Sequence, residues 1–321
     1  MNCSDPKVSL VICVYNAGGY LRPALLSVME QTHRNLDILL VDDGSTDGAV
    51  EGVLDLIHTD TRVRVFRQEN GGKPSALNLA VRQMRGEFYA IHDADDLAEP
   101  RRIEKQLACL QGNPDVAAVF CGYDLILGER RMAPYCEEKG REHCRRDIES
   151  FAMPGHDPTA MYRRSLVSDT QYSEDLPIVE GYDYILRVGE RHPMLRIPDC
   201  LYTYRIHVES VTKKDPARRD HLVVEVLRRA CERRGVDFGM TFPTLQGLGV
   251  NRGLDPTNGL STHFLISVRD QCERSRRKDA MRTFAQMLKY ALSPKQSAKA
   301  LCYLASPRFL LDGIRARRET R

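Results

Sequence analysis

Residues 8–48 read VSLVICVYNAGGYLRPALLSVMEQTHRNLDILLVDDGSTDG, and the fold class can be inferred from this segment. It begins with the apolar, β-rich run Val8 to Val14, which ends in the turn-forming residues YNAGG. Apolar side chains then recur at helical spacing from Tyr20 to Gln31, and a second short apolar strand is predicted from Ile38 to Val41. A strand, a helix and a second strand in this order are typical of a parallel βαβ unit.

The same alternation continues to about residue 125. We predict helices near Ala49 to His58 and Lys73 to Met84, and strands at Val63 to Phe66 and Phe88 to Ile91. Strands that alternate with helices pair in parallel and bury both faces of the sheet. The sequence therefore predicts an α/β fold with a mostly parallel sheet flanked by helices.

The second half of the chain is more helical and less regular. A polar, irregular segment is expected from Arg141 to Pro158, and a loosely packed one from Gly235 to Gly259. Between and after them we predict helices and one strand, with two helices in the last 50 residues. We expect an α/β domain over residues 1–215 and a mostly helical, basic region over residues 216–321.

Acidic clusters follow two of the predicted strands. Asp43 comes after the second strand, and Asp93-Ala94-Asp95 comes after the fourth. Open α/β sheets bind their ligands at the carboxyl ends of strands. Two carboxylates one residue apart can share Mg²⁺ or Mn²⁺, and an Asp at a strand end can accept hydrogen bonds from a base or ribose. D-x-D also occurs by chance in loops, and Ser45 to Asp47 can equally cap a helix.

The quoted stretch resembles the opening of family 2 glycosyltransferases, which have the GT-A fold. The similarity continues through NGGK at 70–73, HDADD at 92–96, EGYDYILR at 180–187 and YRIHVES at 204–210, so that it covers roughly residues 8–212. It implies an inverting transferase that moves a sugar from a nucleotide-sugar, most often a UDP-sugar, to an acceptor hydroxyl. The resemblance also implies a divalent metal, Mg²⁺ or Mn²⁺, as cofactor.

Carried over position by position, the resemblance assigns nucleotide-sugar binding to Tyr15, Asp43, Lys73 and Asp93, and metal binding to Asp95 and His207. Tyr15 and Asp43 would hold the base and the ribose. Asp93 would lie near the ribose or the diphosphate. Lys73 would contact the diphosphate, although the sequence fits an exposed loop lysine equally well.

One position departs from the family's pattern. The family usually has Glu-Asp where this chain has Glu180-Gly181, and that Asp is the general base that deprotonates the acceptor hydroxyl. Glycine cannot take this role, so Asp183 or Glu180 is expected to supply the carboxylate, with Asp183 slightly favoured. Asp183 is equally suited to capping a helix. The alternative is a catalytically idle GT-A module that binds nucleotide-sugar or glycan, which donor hydrolysis and transfer assays would separate from an enzyme.

Other nucleotide-binding classes fit less well. A dehydrogenase is disfavoured because no G-x-G-x-x-G follows the first strand. A nucleotidyltransferase would need a glycine-rich, basic phosphate loop near the N-terminus, where this chain has Val14-Tyr15-Asn16. A transferase remains the leading interpretation.

Charge is distributed unevenly along the 321 residues. The net charge is only +3, yet residues 273–321 hold 13 Lys/Arg against 4 Asp/Glu. Such a basic, partly apolar segment suits contact with an anionic membrane surface, and a solvated helical face is the alternative. The first residues lack the pattern of a signal peptide, and no apolar run is long enough to span a bilayer. We expect a cytoplasmic protein, peripheral at the inner face of the membrane, that acts on a glycan or lipid-linked acceptor and binds no nucleic acid.

Overall fold

The computed structural model describes residues 5–127, 130–206, 216–242, 277–289 and 294–306, together with residues 265, 268, 269 and 272. Its centre is a nine-stranded mixed sheet with helices packed against both faces. Successive side chains of a strand point to opposite faces, so Val11 packs with helix residues Ala76 and Leu77 while Leu10 and Ile12 pack on the other side. The predicted α/β fold class is confirmed.

The strands are β1 (Val8–Val14), β2 (Leu36–Asp42), β3 (Val63–Arg67), β4 (Phe88–Asp93), β5 (Leu97–Ala98), β6 (Ala118–Leu127), β7 (Arg130–Tyr135), β8 (Ala160–Arg163) and β9 (Met194–Ile206). The helices are α1 (Leu21–Met29), α2 (Leu54–Thr59), α3 (Lys73–Gln83), α4 (Arg102–Gln111), α5 (Arg141–Glu149), α6 (Arg164–Val167), α7 (Glu180–Gly189), α8 (Pro216–Arg234), α9 (Phe238–Thr241), α10 (Arg277–Lys289) and α11 (Pro294–Ala305). Short 3₁₀ turns occupy Gly18–Tyr20, Glu51–Val53 and Asp157–Thr159.

The strand order is β3-β2-β1-β4-β8-β6-β9-β5, with β7 paired to β6. The first four strands pair in parallel, as the βαβ pattern predicts. The second half is mixed, because β8 runs antiparallel to both β4 and β6 while β6 and β9 are parallel. β6 and β7 are consecutive strands and pair antiparallel, which a short connection allows and a parallel pairing would not.

Helix α5 occupies the first half of the segment from Arg141 to Pro158 in which we expected irregular chain, so that prediction is wrong for Arg141–Glu149. Only Cys144 and Ile148, four residues apart, are buried in it. Most of its other positions are charged. Two apolar contact positions make too weak a stripe to be recognised as a helix in the sequence.

The C-terminal helices α10 and α11 are confirmed, but the buried stripe of α10 differs from the predicted one. Ala280, Thr283 and Met287 are buried, whereas Met281 and Leu288 are each 55% exposed. Ala291, which we placed on the same stripe, lies outside the described residues. Within the described part of the chain, no helix has the length and apolar content needed to cross a membrane.

Helix α8 packs against the α/β unit. Val226 and Ala230 are fully buried in the same core cluster as residues of α7, and Arg233 and Arg234 both bond with Glu190. The loosely packed segment expected from residue 235 contains α9 and, from residue 243, lies outside the described residues. The division of the chain at residue 215 stays a proposal.

Candidate functional site

The carboxyl ends of β1, β2 and β4 lie side by side. In the parallel register Val14 pairs with Asp42, and Cys13 pairs with Asp93. The residues that follow these three strands therefore meet at one edge of the sheet, the edge at which open α/β sheets bind ligands. Tyr15, Asp43 and the Asp93–Asp95 segment all stand there, as the sequence predicted for the strand ends.

The loops after β1 and β2 are joined by reciprocal hydrogen bonds. The backbone N–H of Asn16 donates to Ser45 Oγ at 3.1 Å, and the N–H of Thr46 donates to Asn16 Oδ1 at 2.8 Å. Asn16 has a positive φ of 51°, a conformation that asparagine tolerates better than most residues. Tyr15 precedes this locked residue and is 54% exposed, so a large aromatic ring stands at the rim of the site on a fixed backbone.

Asp43 ties the end of β2 to the loop that leads into α3. Its side chain is buried, and its carboxylate accepts hydrogen bonds from Gln68 Nε2 at 2.7 Å and from the N–H groups of Gly71 and Gly72 at 2.9 Å each. These three bonds fill most of the acceptor capacity of a carboxylate. Gly72 has a φ of 84°, which glycine alone adopts readily, and it directly precedes Lys73. Asp43 thereby fixes the start of α3.

Lys73 lies between two carboxylates from different elements. Its Nζ is 2.6 Å from Asp93 Oδ1 at the end of β4 and 3.4 Å from Glu180 Oε1 at the start of α7. Burial alone would lower the pKa of Lys73, but the two carboxylates outweigh it and hold that pKa well above its ordinary value. Burial raises the pKa of the Glu180 carboxyl, and the attraction of Lys73 offsets this only in part.

The acidic loop after β4 is anchored by its third carboxyl group. Asp96 is fully buried and accepts hydrogen bonds from the Tyr202 hydroxyl and from the backbone N–H of Arg205, both at 2.7 Å. Burial, together with the charges of Asp93 and Asp95, raises the pKa of Asp96 well above its ordinary value. Asp93 and Asp95, in contrast, are both partly exposed.

The same two carboxylates are the residues that can hold a divalent cation. Among the described residues, no group of three or more His, Cys, Asp or Glu side chains could hold a metal ion. Mg²⁺, however, commonly takes one or two carboxylates and fills its other positions with water and substrate phosphates. The carboxylate oxygens of Asp93 and Asp95 are hard donors, and two carboxylates at this edge of the sheet fit that mode of Mg²⁺ binding. His207, the other predicted metal ligand, lies outside the described residues.

Asp183, which the sequence slightly favoured as general base, belongs to a different network. It is 1% exposed, and its Oδ2 accepts hydrogen bonds from Ser173 Oγ at 2.7 Å and from Arg187 Nε at 2.8 Å. Arg233 from α8 lies 3.7 Å from its Oδ1. These contacts connect α7 to the preceding loop and to α8, whereas Glu180 faces Lys73.

Sequence reasoning missed Asp157. A Cβ atom placed on Gly181 would lie 2.6 Å from Asp157 Cβ and 3.0 Å from its Oδ2. The Asp157 side chain therefore occupies the space that a residue larger than glycine would need at position 181. Its carboxylate accepts hydrogen bonds from the Tyr162 hydroxyl at 2.5 Å and from the Tyr172 hydroxyl at 3.2 Å.

The turn that carries Asp157 is held by two buried polar side chains of α4. Arg102, which is fully buried, donates to the carbonyl oxygens of Pro158 at 2.6 Å and Ala160 at 3.2 Å. Gln106 donates to the carbonyl oxygen of Thr159 at 2.8 Å. One terminal nitrogen of Arg102 makes both of these bonds, and its Nε donates to Gln106 Oε1 at 3.0 Å, so the two side chains together hold the turn.

Comparison with known proteins identifies the family of the chain. The family model described as Glycosyl transferase family 2 matches residues 9–170. An uncharacterized glycosyltransferase of Haemophilus influenzae is 28% identical over 222 residues, which cover 64% of this chain and 67% of that protein. EpsH, a putative glycosyltransferase of Bacillus subtilis, is 30% identical over 223 residues, which cover 65% of this chain and 63% of that protein. The chain thus spans about two thirds of the length of these relatives.

Solved structures share the fold. TarS of S. aureus in complex with UDP-GlcNAc superposes with a TM-score of 0.61 at 18% identity, over 97% of this chain and 92% of that one. The mannosyltransferase PcManGT of Pyrobaculum calidifontis, in complex with GDP-Man and Mn²⁺, gives a TM-score of 0.57 at 20% identity, over 98% of this chain and 86% of that one. At these identities the likeness establishes the fold, which is that of GT-A glycosyltransferases.

Proposed function

The chain belongs to glycosyl transferase family 2, and from that premise we propose that it is an inverting glycosyltransferase. In this proposal it moves a sugar from a nucleotide-sugar to a hydroxyl group of its acceptor, and a UDP-sugar is the favoured donor. The observation that carries the proposal is the aligned ends of β1, β2 and β4. They bring an exposed tyrosine, a lysine and a pair of carboxylates to one edge of the sheet. UDP-GlcNAc and GDP-Man, bound to the two solved neighbours, support a nucleotide-sugar donor.

The donor's nucleoside would bind between the joined loops and the start of α3. Tyr15 offers an exposed aromatic face on which a base can stack. Asp43 accepts three hydrogen bonds from the protein and has room for about one more, which suits a ribose or base N–H or O–H donor. Its main contribution is then to order the loop that presents Lys73.

The donor's diphosphate would lie near Lys73, Asp93 and Asp95. Asp93 and Asp95 would hold Mg²⁺ or Mn²⁺, which as a Lewis acid neutralises charge on a departing nucleoside diphosphate. Lys73 keeps its proton because its two carboxylate partners raise its pKa, so it acts as a fixed positive charge and not as a base. It also holds Asp93 and Glu180 close together despite their like charges.

The acceptor hydroxyl must lose its proton to a carboxylate within hydrogen-bond reach as it attacks the anomeric carbon. Of the two carboxylates that flank Gly181, Glu180 faces Lys73 and hence the proposed diphosphate position. Asp183 is engaged by Ser173 and Arg187. Glu180 is therefore the better candidate of these two.

We further propose that the acceptor is a glycan or lipid-linked glycan of cell-surface polymer synthesis, reached at the cytoplasmic face of a membrane. Met281 and Leu288 on α10 and Leu301 on α11 are each more than half exposed, and both helices carry basic residues. An amphipathic basic surface of this kind can bind anionic lipid headgroups. In this proposal residues 1–215 carry the transfer, and residues 216–321 contribute the membrane contact.

A catalytically idle module that binds nucleotide-sugar or glycan is the second candidate. The observation in its favour is Gly181, because the family's usual general base is missing at that position. Such a module would bind a donor without releasing its nucleotide.

The test is a calorimetric titration of the full chain with UDP, with and without Mn²⁺. We expect binding that requires Mn²⁺ and is weakened at least tenfold in Asp95→Ala. Asp169→Ala is the matched control, since Asp169 is a surface carboxylate paired with Arg191 away from the strand ends. Metal-independent binding, or equal affinity in Asp95→Ala, would refute the proposed metal site; no binding of UDP or GDP at all would refute the donor proposal.

A further inference from the structure

We propose that Asp157 supplies the carboxylate that position 181 lacks, and that it accepts the proton of the attacking hydroxyl. The inference rests on the proposed function and names a residue outside the EGYDYILR segment in which the base was expected. Its first support is steric. The space next to the Gly181 Cα is filled by the Asp157 side chain, whose Oδ2 would lie 3.0 Å from a Cβ at that position.

The second support is the charged neighbourhood of Asp157. Lys73 from α3, Glu180 from α7 and Asp93 from β4 all interact electrostatically with its carboxyl group. These are the residues that line the proposed diphosphate position. Asp157 thus belongs to the same cluster as the donor-binding residues, although it comes from a turn before β8.

The third support is the pKa of the Asp157 carboxyl group. Burial raises the pKa of Asp157 to about 7, and the hydrogen bond from Tyr162 and the charge of Lys73 offset this effect in part. A carboxylate with a pKa near neutrality is well suited to take a proton from a reacting hydroxyl. Tyr162 and Tyr172 use two of its acceptor positions, and a carboxylate has about four.

The transfer forms one bond and breaks another at the anomeric carbon. The acceptor oxygen forms a bond to the anomeric carbon while its proton passes to Asp157. The bond from the anomeric carbon to the phosphate oxygen breaks, and its electron pair leaves with the nucleoside diphosphate. Asp157 afterwards releases the proton to solvent.

The first test measures UDP release from UDP-GlcNAc, and GDP release from GDP-mannose, with Mn²⁺ present and water as the acceptor. For Asp157→Asn we expect kcat to fall at least 100-fold with KM within threefold of the wild-type value. Asp37→Asn is the matched control, because Asp37 is a comparably buried, hydrogen-bonded carboxylate near the opposite end of the parallel strands. Its activity per folded molecule should stay within threefold of wild type.

The second test moves the carboxylate. Asp157→Gly removes the Cβ that a Cβ at position 181 would meet at 2.6 Å, so the double variant Asp157→Gly/Gly181→Asp should regain at least tenfold in kcat over Asp157→Gly alone. Gly181→Asp alone places two carboxylates in one space and should be less active than wild type. A double variant no better than Asp157→Gly would overturn the proposal.

The third test uses Tyr162→Phe and applies even where Asp157 variants fail to fold. Removing a donor to the carboxylate raises the pKa of Asp157, so the rising limb of kcat/KM against pH should move to higher pH. An unmoved limb, or an Asp157→Asn enzyme within threefold of wild type, would overturn this inference alone. A wild-type protein that binds UDP but releases none, or that binds no nucleotide, would overturn the proposed transferase activity together with it.

Discussion

The side chains of Lys73 and Asp93 form an ion pair of 2.6 Å between the first residue of α3 and the last residue of β4. Because the pair joins a helix start to a strand end, it fixes both at the edge where the donor would bind. It also places a positive charge beside the carboxylates that would hold a metal. We therefore expect a change at this one lysine to affect both stability and donor binding.

Lys73→Met should weaken both properties. Asp93 and Glu180 would lose their shared cation, and we expect a loss of about 1–3 kcal/mol in the free energy of unfolding. Affinity for UDP in the presence of Mn²⁺ should fall about tenfold, or ~1.4 kcal/mol. Urea unfolding and calorimetry measure the two effects. Lys105→Met is the control, since Lys105 is equally exposed and is paired with Asp199 elsewhere; an equal loss of UDP affinity there would count against a local role for Lys73.

Arg102→Lys should destabilise the protein although it keeps the charge. A lysine has one ammonium nitrogen, so it cannot both reach the carbonyls of Pro158 and Ala160 and replace the Nε–H that donates to Gln106 Oε1. Orphaned buried acceptors cost about 1–3 kcal/mol each, so we expect a loss of at least about 2 kcal/mol. Thermal unfolding by circular dichroism measures it. A melting temperature within one degree of wild type would show that the turn holds without the guanidinium group.

The pH dependence of stability should carry a contribution from Asp157. Its pKa rises from an ordinary 3.8 to about 7 on folding, so between these values the folded chain binds more protons than the unfolded chain. The contribution of this proton to the free energy of unfolding is fully present below pH ~4. It is lost as pH rises to ~7, and the loss is at most about 4 kcal/mol. Asp157→Asn has no titrating carboxyl group at this position, so its stability relative to wild type should be higher at pH 8 than at pH 4. A constant difference across urea titrations at both pH values would contradict this.

Binding of the C-terminal helices to anionic membranes should depend on their exposed apolar side chains. The full chain should sediment with vesicles of phosphatidylglycerol and phosphatidylcholine but not with phosphatidylcholine alone, and less at high salt. Replacing Met281, Leu288 and Leu301 together by Ser should reduce the bound fraction by more than half. Leu54→Ser is the control, because Leu54 is a 39% exposed apolar residue on α2. Undiminished sedimentation of the triple variant would exclude this surface.

Local patterns predicted the first half of the fold well. Strand β1 has the predicted bounds, since an unbroken apolar run ends at turn-forming residues. The position of Asp43 and Asp93 at one edge followed from the parallel order of the strands. The pairing of Lys73 with Asp93 depends on the register of β4 and on the entry of α3, which no local pattern contains.

Asp157 was missed because it lies in a polar segment without periodicity, directly before Pro158. Nothing in that segment suggests a carboxyl group near the strand ends. The only sequence feature that pointed to a replacement carboxyl group was Gly181, a glycine at a position where the family usually has Asp. An empty side-chain position in a close-packed region implies that another group fills it, but the sequence does not tell which group.

The contact between Gly181 and Asp157 also gives a rule for sorting relatives by sequence alone. Because the two side chains compete for one volume, a relative with an acid at the position of Gly181 should carry a small residue at the position of Asp157, and a glycine at the first should accompany an acid at the second. The two columns of an alignment should therefore vary together, and a relative that lacks an acid in both would be the better candidate for a protein that has given up transfer.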